Sequence, residues 1–258
     1  MELHRDPAEV HLWITDPATL TGAQRDAYLA LCSGDELARD ARITHEETRR
    51  NHLIARALVR TTLSRYGEPE PAAWRFEEND HGCPFIAADQ NPDGLRFNLS
   101  HTTGLVVCAV TRGRDVGVDV EYEPRDSRTT KIADRFFAPC EVDALHRLPE
   151  SEHRARFFAY WTLKESYIKA RGMGLAIPLK RFWFDVDTPG QLCFDNDPEL
   201  GDDPKRWAFA RLRTGPDHPM AVALECPAGE AFALRAFETV PLGADRELPC
   251  QPFARSIP

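Results

Sequence analysis

The succession of helix-like and strand-like segments in this 258-residue chain predicts an α+β fold made of two similar, pseudo-symmetric halves. Two observations carry that reading. A helical pattern ending at Ser64-Arg65-Tyr66-Gly67 gives way to loop and strands, and a second, ending at Lys169-Ala170-Arg171-Gly172, does the same. The halves span 1–115 and 116–240. Beyond them lies an extension over 241–258, whose prolines at 241, 249, 252 and 258 argue against regular structure.

Taken in order, Val10–Ile14 alternates and runs into Asp16-Pro17, which reads as a short first strand. Residues 46–66 place Leu53, Ala57 and Leu58 at helical spacing, with Gly67 where a helix stops. Gly82, Pro84, Asn91-Pro92 and Asp93-Gly94 mark a loop. Residues 95–99, 106–111 and 116–121 read as strands, with Arg112-Gly113-Arg114-Asp115 as a hairpin turn between the last two. Residues 128–148 are helical, broken near Pro139. A long helix follows over 152–171, closed by Gly172. Strand signals return at 181–187, 207–213, 220–226 and 232–237.

Charge and composition exclude several classes. A net charge of −9 argues against a general nucleic-acid binder. The stretch 39–65 runs the other way, with seven arginines (39, 42, 49, 50, 56, 60 and 65) against three acids, and suits either a solvated helix face or an anion site. No apolar run approaches the roughly 18 residues a membrane span needs. The N-terminus Met1-Glu2-Leu3-His4-Arg5-Asp6 lacks the apolar stretch of a signal peptide. The seven cysteines include no Cys-x-x-Cys pair and read as reduced thiols of a cytoplasmic protein without a zinc site.

Two segments carry candidate chemistry. In Gly117-Val118-Asp119-Val120-Glu121, strand alternation sends the valines to a core and turns Gly117, Asp119 and Glu121 the other way. The two acids, roughly 6.6 Å apart along the strand, suit a hard cation such as magnesium, and Gly117 would leave open space on that side. In Trp161-Thr162-Leu163-Lys164-Glu165-Ser166-Tyr167-Ile168-Lys169, Phe157, Trp161 and Ile168 form an apolar stripe with Glu165 and Lys169 one turn apart on its flank. A surface ion pair is the plain reading of such a spacing. A carboxylate that shares a metal or takes a proton, beside a lysine that offsets phosphate charge, is the functional one. A third segment, Phe97-Asn98-Leu99-Ser100-His101-Thr102-Thr103-Gly104, offers hydroxyls and an imidazole at a strand exit. It is no Gly-x-Ser-x-Gly elbow, so Ser100 is a poor nucleophile. The chain has no His-Glu-x-x-His, no Walker loop and no Gly-x-Gly-x-x-Gly.

In this order the three segments resemble the 4′-phosphopantetheinyl transferases, in the larger monomeric form that serves peptide and polyketide synthases. Phe136-Phe137 followed by Glu141, Gly172-Met173-Gly174-Leu175, and the arginine-rich Ala55-Arg56-Ala57-Leu58-Val59-Arg60 extend the resemblance over roughly 10–237. The resemblance implies two α+β halves with coenzyme A in the cleft between them. It implies transfer of the phosphopantetheine arm to a serine of an acyl or peptidyl carrier protein, with release of adenosine 3′,5′-bisphosphate. Magnesium would sit on Asp119, Glu121 and Glu165, and Glu165 would also be the catalytic base. Lys169 would contact the pyrophosphate, Ser100 and His101 a coenzyme A phosphate, and Lys164 would help order the carboxylates. The family often has Gly-Lys-Pro or Gly-Arg-Pro ahead of the Ser-His strand, where this chain has Gly82-Cys83-Pro84. Arg39, Arg49 or Arg50 would then supply the missing cation. Carrier proteins are generally acidic, so a chain of net charge −9 is expected to meet one through a local apolar and basic surface. A magnesium-dependent hydrolase of coenzyme A or nucleotides and a degenerate coenzyme A-binding module are the competing readings.

Overall fold

The computed structural model describes residues 8–124, 129–226 and 230–256. The N-terminal Met1–Asp6, residue 128 at the head of an expected helix, and Pro258 lie outside the described residues. The elements are β1 (Glu9–Thr15), α1 (Gly22–Leu29), α2 (Gly34–Arg42), α3 (Glu46–Leu63), β2 (Phe76–Glu78), β3 (Pro84–Ile86), β4 (Leu95–Thr102), β5 (Leu105–Arg112), β6 (Val116–Val120), α4 (Thr129–Phe136), α5 (Pro139–His146), α6 (Glu150–Ala170), β7 (Phe182–Asp185), β8 (Gln191–Asn196), β9 (Trp207–Arg213), β10 (Pro219–Glu225), β11 (Ala233–Thr239), β12 (Asp245–Leu248) and β13 (Ala254–Ser256). Helices and sheets are mixed as an α+β fold requires.

The chain divides into two compact units. The first comprises Met1–Asn79, Pro84–Arg114 and Ala233–Cys250, and the second Asp80–Cys83, Asp115–Phe232 and Gln251–Pro258. A linear reading puts 233–250 in the C-terminal half and extension, yet these residues pack with the N-terminal strands. The first unit holds a sheet in the order β12-β11-β1-β5-β4, with β1 parallel to β11 and antiparallel to β5. Helix α3 lies on it and buries Leu53, Ala57 and Leu58 against Trp13, Val106, Cys108 and Phe237. The second unit holds a sheet in the order β6-β10-β9-β13-β8-β7. Helix α6 packs on β6 and β10, and its core gathers Phe157, Leu163, Tyr167, Phe182, Phe184 and Phe209.

Three expectations need correction. Strands β5 and β6 form no hairpin, because β1 and β4 already occupy both edges of β5, while β6 pairs with β10. The tight hairpin is β4–β5, where Thr102 faces Leu105 across Thr103-Gly104 and Gly104 takes φ 79°. The extension is not irregular: its prolines punctuate two short strands, with β12 at the edge beside β11 and β13 inserted between β9 and β8. Helices α1 and α2 escape the apolar-periodicity reading. Both are announced by capping boxes, Thr21 with Gln24 and Ser33 with Glu36.

The close of α6 follows expectation. Gly172 takes φ 61°, its N–H donates to Lys169 O (2.9 Å), and the Met173 N–H donates to Ile168 O (3.3 Å), the paired bonds of a Schellman cap. That cap fixes where the helix ends, and so where Glu165 and Lys169 stand.

In the first unit, β1 buries His11 completely. The Tyr66 hydroxyl accepts from Trp13 Nε1 (2.7 Å) and hydrogen-bonds with His11 Nδ1 (2.7 Å), while Nε2 lies 3.2 Å from Glu9. Burial lowers the His11 pKa from its ordinary 6.5, against the pull of Glu9. The unfolded chain therefore takes up this proton first, and the associated stability is full above pH 6.5 and lost as pH falls below it. Melting temperatures from pH 7.5 downward are expected to decline more steeply for wild type than for His11→Gln, and equal slopes would remove His11 as the cause.

Candidate active site

The site begins with a residue that has no side chain. A Cβ added at Gly117 would fall on the Ser166 carbonyl oxygen and lie 2.5 Å from the Ala170 nitrogen. The open space expected beside Gly117 does not exist. It is filled by the backbone of α6, which rests on β6 at that point. Gly117 stands opposite Ala223, and Asp119 opposite Ala221, both fully buried. Small residues on two neighbouring strands thus make the bed for the helix.

Close contact at residue 117 carries the helix flank to Asp119. Lys169 Nζ donates to Asp119 Oδ1 (2.6 Å) and to Val118 O (3.3 Å). Trp161, Glu165 and Lys169 form a half-buried row at four-residue spacing on a helix otherwise buried over most of its C-terminal half. The expected apolar stripe is therefore only part of a nearly all-round burial. Glu165 is pushed up to about 7, first by burial and then by the Asp119 charge, with Lys169 opposing. Lysine 169 turns to Asp119 across the seam and not to Glu165 one turn back, so the plain surface ion pair is not what forms.

Asp119 and Glu165 are thus electrostatically coupled, with Lys169 bridging to the first. Glu121 follows β6 and is buried, its N–H donating to Pro219 O (3.1 Å). Among the described residues no group of three or more His, Cys, Asp or Glu side chains is arranged to hold a metal ion. The donor chemistry still suits a hard cation: the candidates are carboxylates, and Glu165 is raised first by burial and then by the Asp119 charge, a like charge that a cation would offset.

Lys164 faces elsewhere. It is fully buried and pairs with Glu141 (2.7 Å), while Nζ donates to Leu179 O (2.8 Å) and Phe182 O (2.6 Å). Glu141 also accepts from the Ala138 and Phe184 N–H groups (both 3.0 Å). Burial lowers the lysine pKa and raises that of the glutamate, and their mutual attraction opposes both shifts. Lys164 orders Glu141, and through it α5, α6 and β7; it does not touch Asp119 or Glu165 in any contact of the described residues. A second anchor has no sequence signal. Asp202 Oδ2 accepts from Tyr167 Oη (2.7 Å), Arg171 Nη1 (2.8 Å) and Trp207 Nε1 (2.7 Å), tying the end of α6 to β9 from a loop that reads only as a turn.

The first unit carries the remaining candidates. Ser100 and His101 are successive residues of β4, so their side chains leave opposite faces: Ser100 is buried and His101 exposed. Strand β4 is the sheet edge, with Ser100 opposite Val107 and His101 opposite Val106. Arg39 on α2 pairs with Glu78 (2.7 Å), Arg49 on α3 pairs with Asp40 (2.8 Å), and Arg50 is exposed.

A seam of carboxylates and a lysine between helix and sheet can stabilise developing charge. Comparison with known proteins places the chain in a family. Residues 115–223, nearly the whole central span of the second unit, match the model of the 4′-phosphopantetheinyl transferase superfamily. The 4′-phosphopantetheinyl transferase HetI of a Nostoc species is 39% identical over 65% of this chain and 70% of its own length. A Bacillus subtilis 4′-phosphopantetheinyl transferase is 33% identical over 68% of this chain and 76% of its own. The transferase Sfp of the same organism is 29% identical over 81% and 88%. The chain belongs to the 4′-phosphopantetheinyl transferase superfamily and is an enzyme of that class.

Two substitutions test the architecture. Gly117→Ala is expected to lower stability by about 1–3 kcal/mol through overpacking and to impair activity by shifting Glu165, both read from denaturant melts and turnover. A variant with wild-type stability and turnover would show the contact to be slack. Lys164→Met, which strands a buried carboxylate, is expected to cost about 3–5 kcal/mol, and adding Glu141→Gln should recover much of it. A full loss in the double variant would contradict the pairing.

Proposed function

We propose that the protein transfers the 4′-phosphopantetheine arm of coenzyme A to a serine of an apo acyl or peptidyl carrier protein, releasing adenosine 3′,5′-bisphosphate. The supporting observation is the meeting of Asp119, Glu165 and Lys169 inside the stretch that matches the family. The serine oxygen forms a bond to the phosphorus bearing the pantetheine arm, the bridging phosphorus–oxygen bond breaks, and adenosine bisphosphate leaves with that oxygen.

Each residue then has a task. Glu165, titrating near 7, is poised to accept the serine proton at neutral pH. Lys169 offsets pyrophosphate charge from its place against Asp119. Asp119, Glu121 and Glu165 are the oxygen donors that would hold magnesium, which when bound supplies charge neutralisation at the pyrophosphate. From the first unit, Ser100 and His101 are assigned to a coenzyme A phosphate, and Arg39, Arg49 and Arg50 to the charge that Cys83 cannot provide. Arg50 is the readiest of the three, since Arg39 and Arg49 already hold Glu78 and Asp40. No helix among the described residues is long and apolar enough to cross a membrane. We take the enzyme to act as a cytoplasmic monomer in secondary-metabolite biosynthesis.

Incubation with coenzyme A, magnesium and a panel of apo carriers is expected to add one phosphopantetheine arm to a carrier, seen by intact-protein mass. No gain on any carrier would refute the transferase reading, and adenosine bisphosphate released without carrier would favour a hydrolase. Glu165→Gln is expected to lower turnover by about 10²-fold or more with unchanged circular dichroism. Near-normal turnover would remove Glu165 from the role of base.

A further inference from the structure

One half-buried arginine of the second unit lacks the ion-pair partner that Arg60 and Arg171 have. Arg60 is buried but held by Glu36 (2.7 Å) and the carbonyls of Pro71 and Trp74, and Arg171 by Asp202. Arg211, half-buried on β9, has no ion pair and no side-chain hydrogen bond among the described residues. Its guanidinium stacks on the ring of Phe253 at 4.9 Å. Phe253 is itself 48% exposed, an apolar ring presented by the segment that leads into β13. Two further cations stand near it, with Tyr160 and Glu123 pulling the other way. Arg156 on α6 is bound to Asp187 and Tyr160, and Arg213 to Glu123 (2.8 Å) and Pro216 O. Burial first, then the charges of Arg213 and Arg156, push Arg211 down to about 10. A half-desolvated arginine crowded by like charge is destabilising to the folded chain, and an arriving anion would relieve it.

Its position gives that anion a source. Arg211 stands opposite Ala221, which stands opposite Asp119. Two strand spacings, roughly 10 Å, separate Arg211 from Asp119 across the sheet. We propose that Arg211, with Phe253, is a receptor for an acidic side chain of the carrier protein, and so a specificity-determining residue that selects acidic carriers. The inference rests on the transferase reading above. An exposed aromatic ring beside the guanidinium suits a protein surface with mixed apolar and acidic side chains better than a lone phosphate. A chain of net charge −9 also needs a local positive point to dock an acidic partner.

Steady-state kinetics with one apo carrier that wild type modifies provides the test, comparing wild type, Arg211→Gln and Arg211→Lys. The glutamine variant is expected to raise the carrier KM about tenfold or more, to leave the coenzyme A KM unchanged, and to flatten the rise of carrier KM with salt. The lysine variant should fall between. Melting temperature should hold or rise in Arg211→Gln, because the lost charge had no partner. An unchanged carrier KM would overturn the receptor, and a raised coenzyme A KM alone would reassign Arg211 to the nucleotide. A lower melting temperature with both KM values unchanged would make it structural. If wild type loads no carrier at all, it is the transferase reading that fails.

Discussion

The contact at Gly117 governs the second unit. A helix backbone lies on a strand where no methyl group fits, and the alanines on β10 extend that bed. The contact sets the register between α6 and β6. With Ser166 and Ala170 placed over residue 117, Glu165 and Lys169 are delivered to Asp119. Widening the gap by one methyl group would loosen the seam in which Glu165 is desolvated and coupled to its neighbour. The side chains of the proposed site are thus positioned by the absence of one.

Helix α6 shows how five residues separate scaffold from the proposed site. At 100° per residue, Lys164 and Lys169 point 140° apart. Lys164 meets Glu141 and two carbonyls in a dry interior and serves to hold elements together. Lys169 keeps a quarter of its side chain exposed and faces Asp119 at the seam. Both lie in one short motif, and only burial tells them apart. Asp202 supports the same helix from its C-terminal end, so three buried acids (Glu141, Asp119 and Asp202) grip the last turns of α6.

Much of this was legible in the amino-acid order. Periodicity and terminal glycines placed α3 and α6, and the Gly172 cap needed only the knowledge that left-handed backbone favours glycine. The residue pattern and the family resemblance lead one to expect Asp119, Glu121 and Glu165 around one cation with Lys169 beside them; the contact of Lys169 with Asp119 is what the fold adds. Pairing was the part that stayed hidden. Alternation marks β5 and β6 as strands but does not say that β5 has both edges filled, and the prolines of the tail conceal two short strands that join distant partners. Gly117 was read as open space because sequence shows that a side chain is missing and not what takes its place. Arg211 looks like any strand arginine in the sequence; its stacking on Phe253 is visible only in the fold.

The central claim is that Asp119 and Glu165 share one desolvated seam, and a carbon-13 titration of the Glu165 carboxyl in metal-free protein tests it most directly. The account predicts a midpoint near 7 in wild type that moves down in Asp119→Asn, as the like charge is removed and Lys169 is freed for Glu165. A Glu165 that titrates in the ordinary carboxylate range, or one indifferent to the substitution at 119, would show that the two acids do not sense each other.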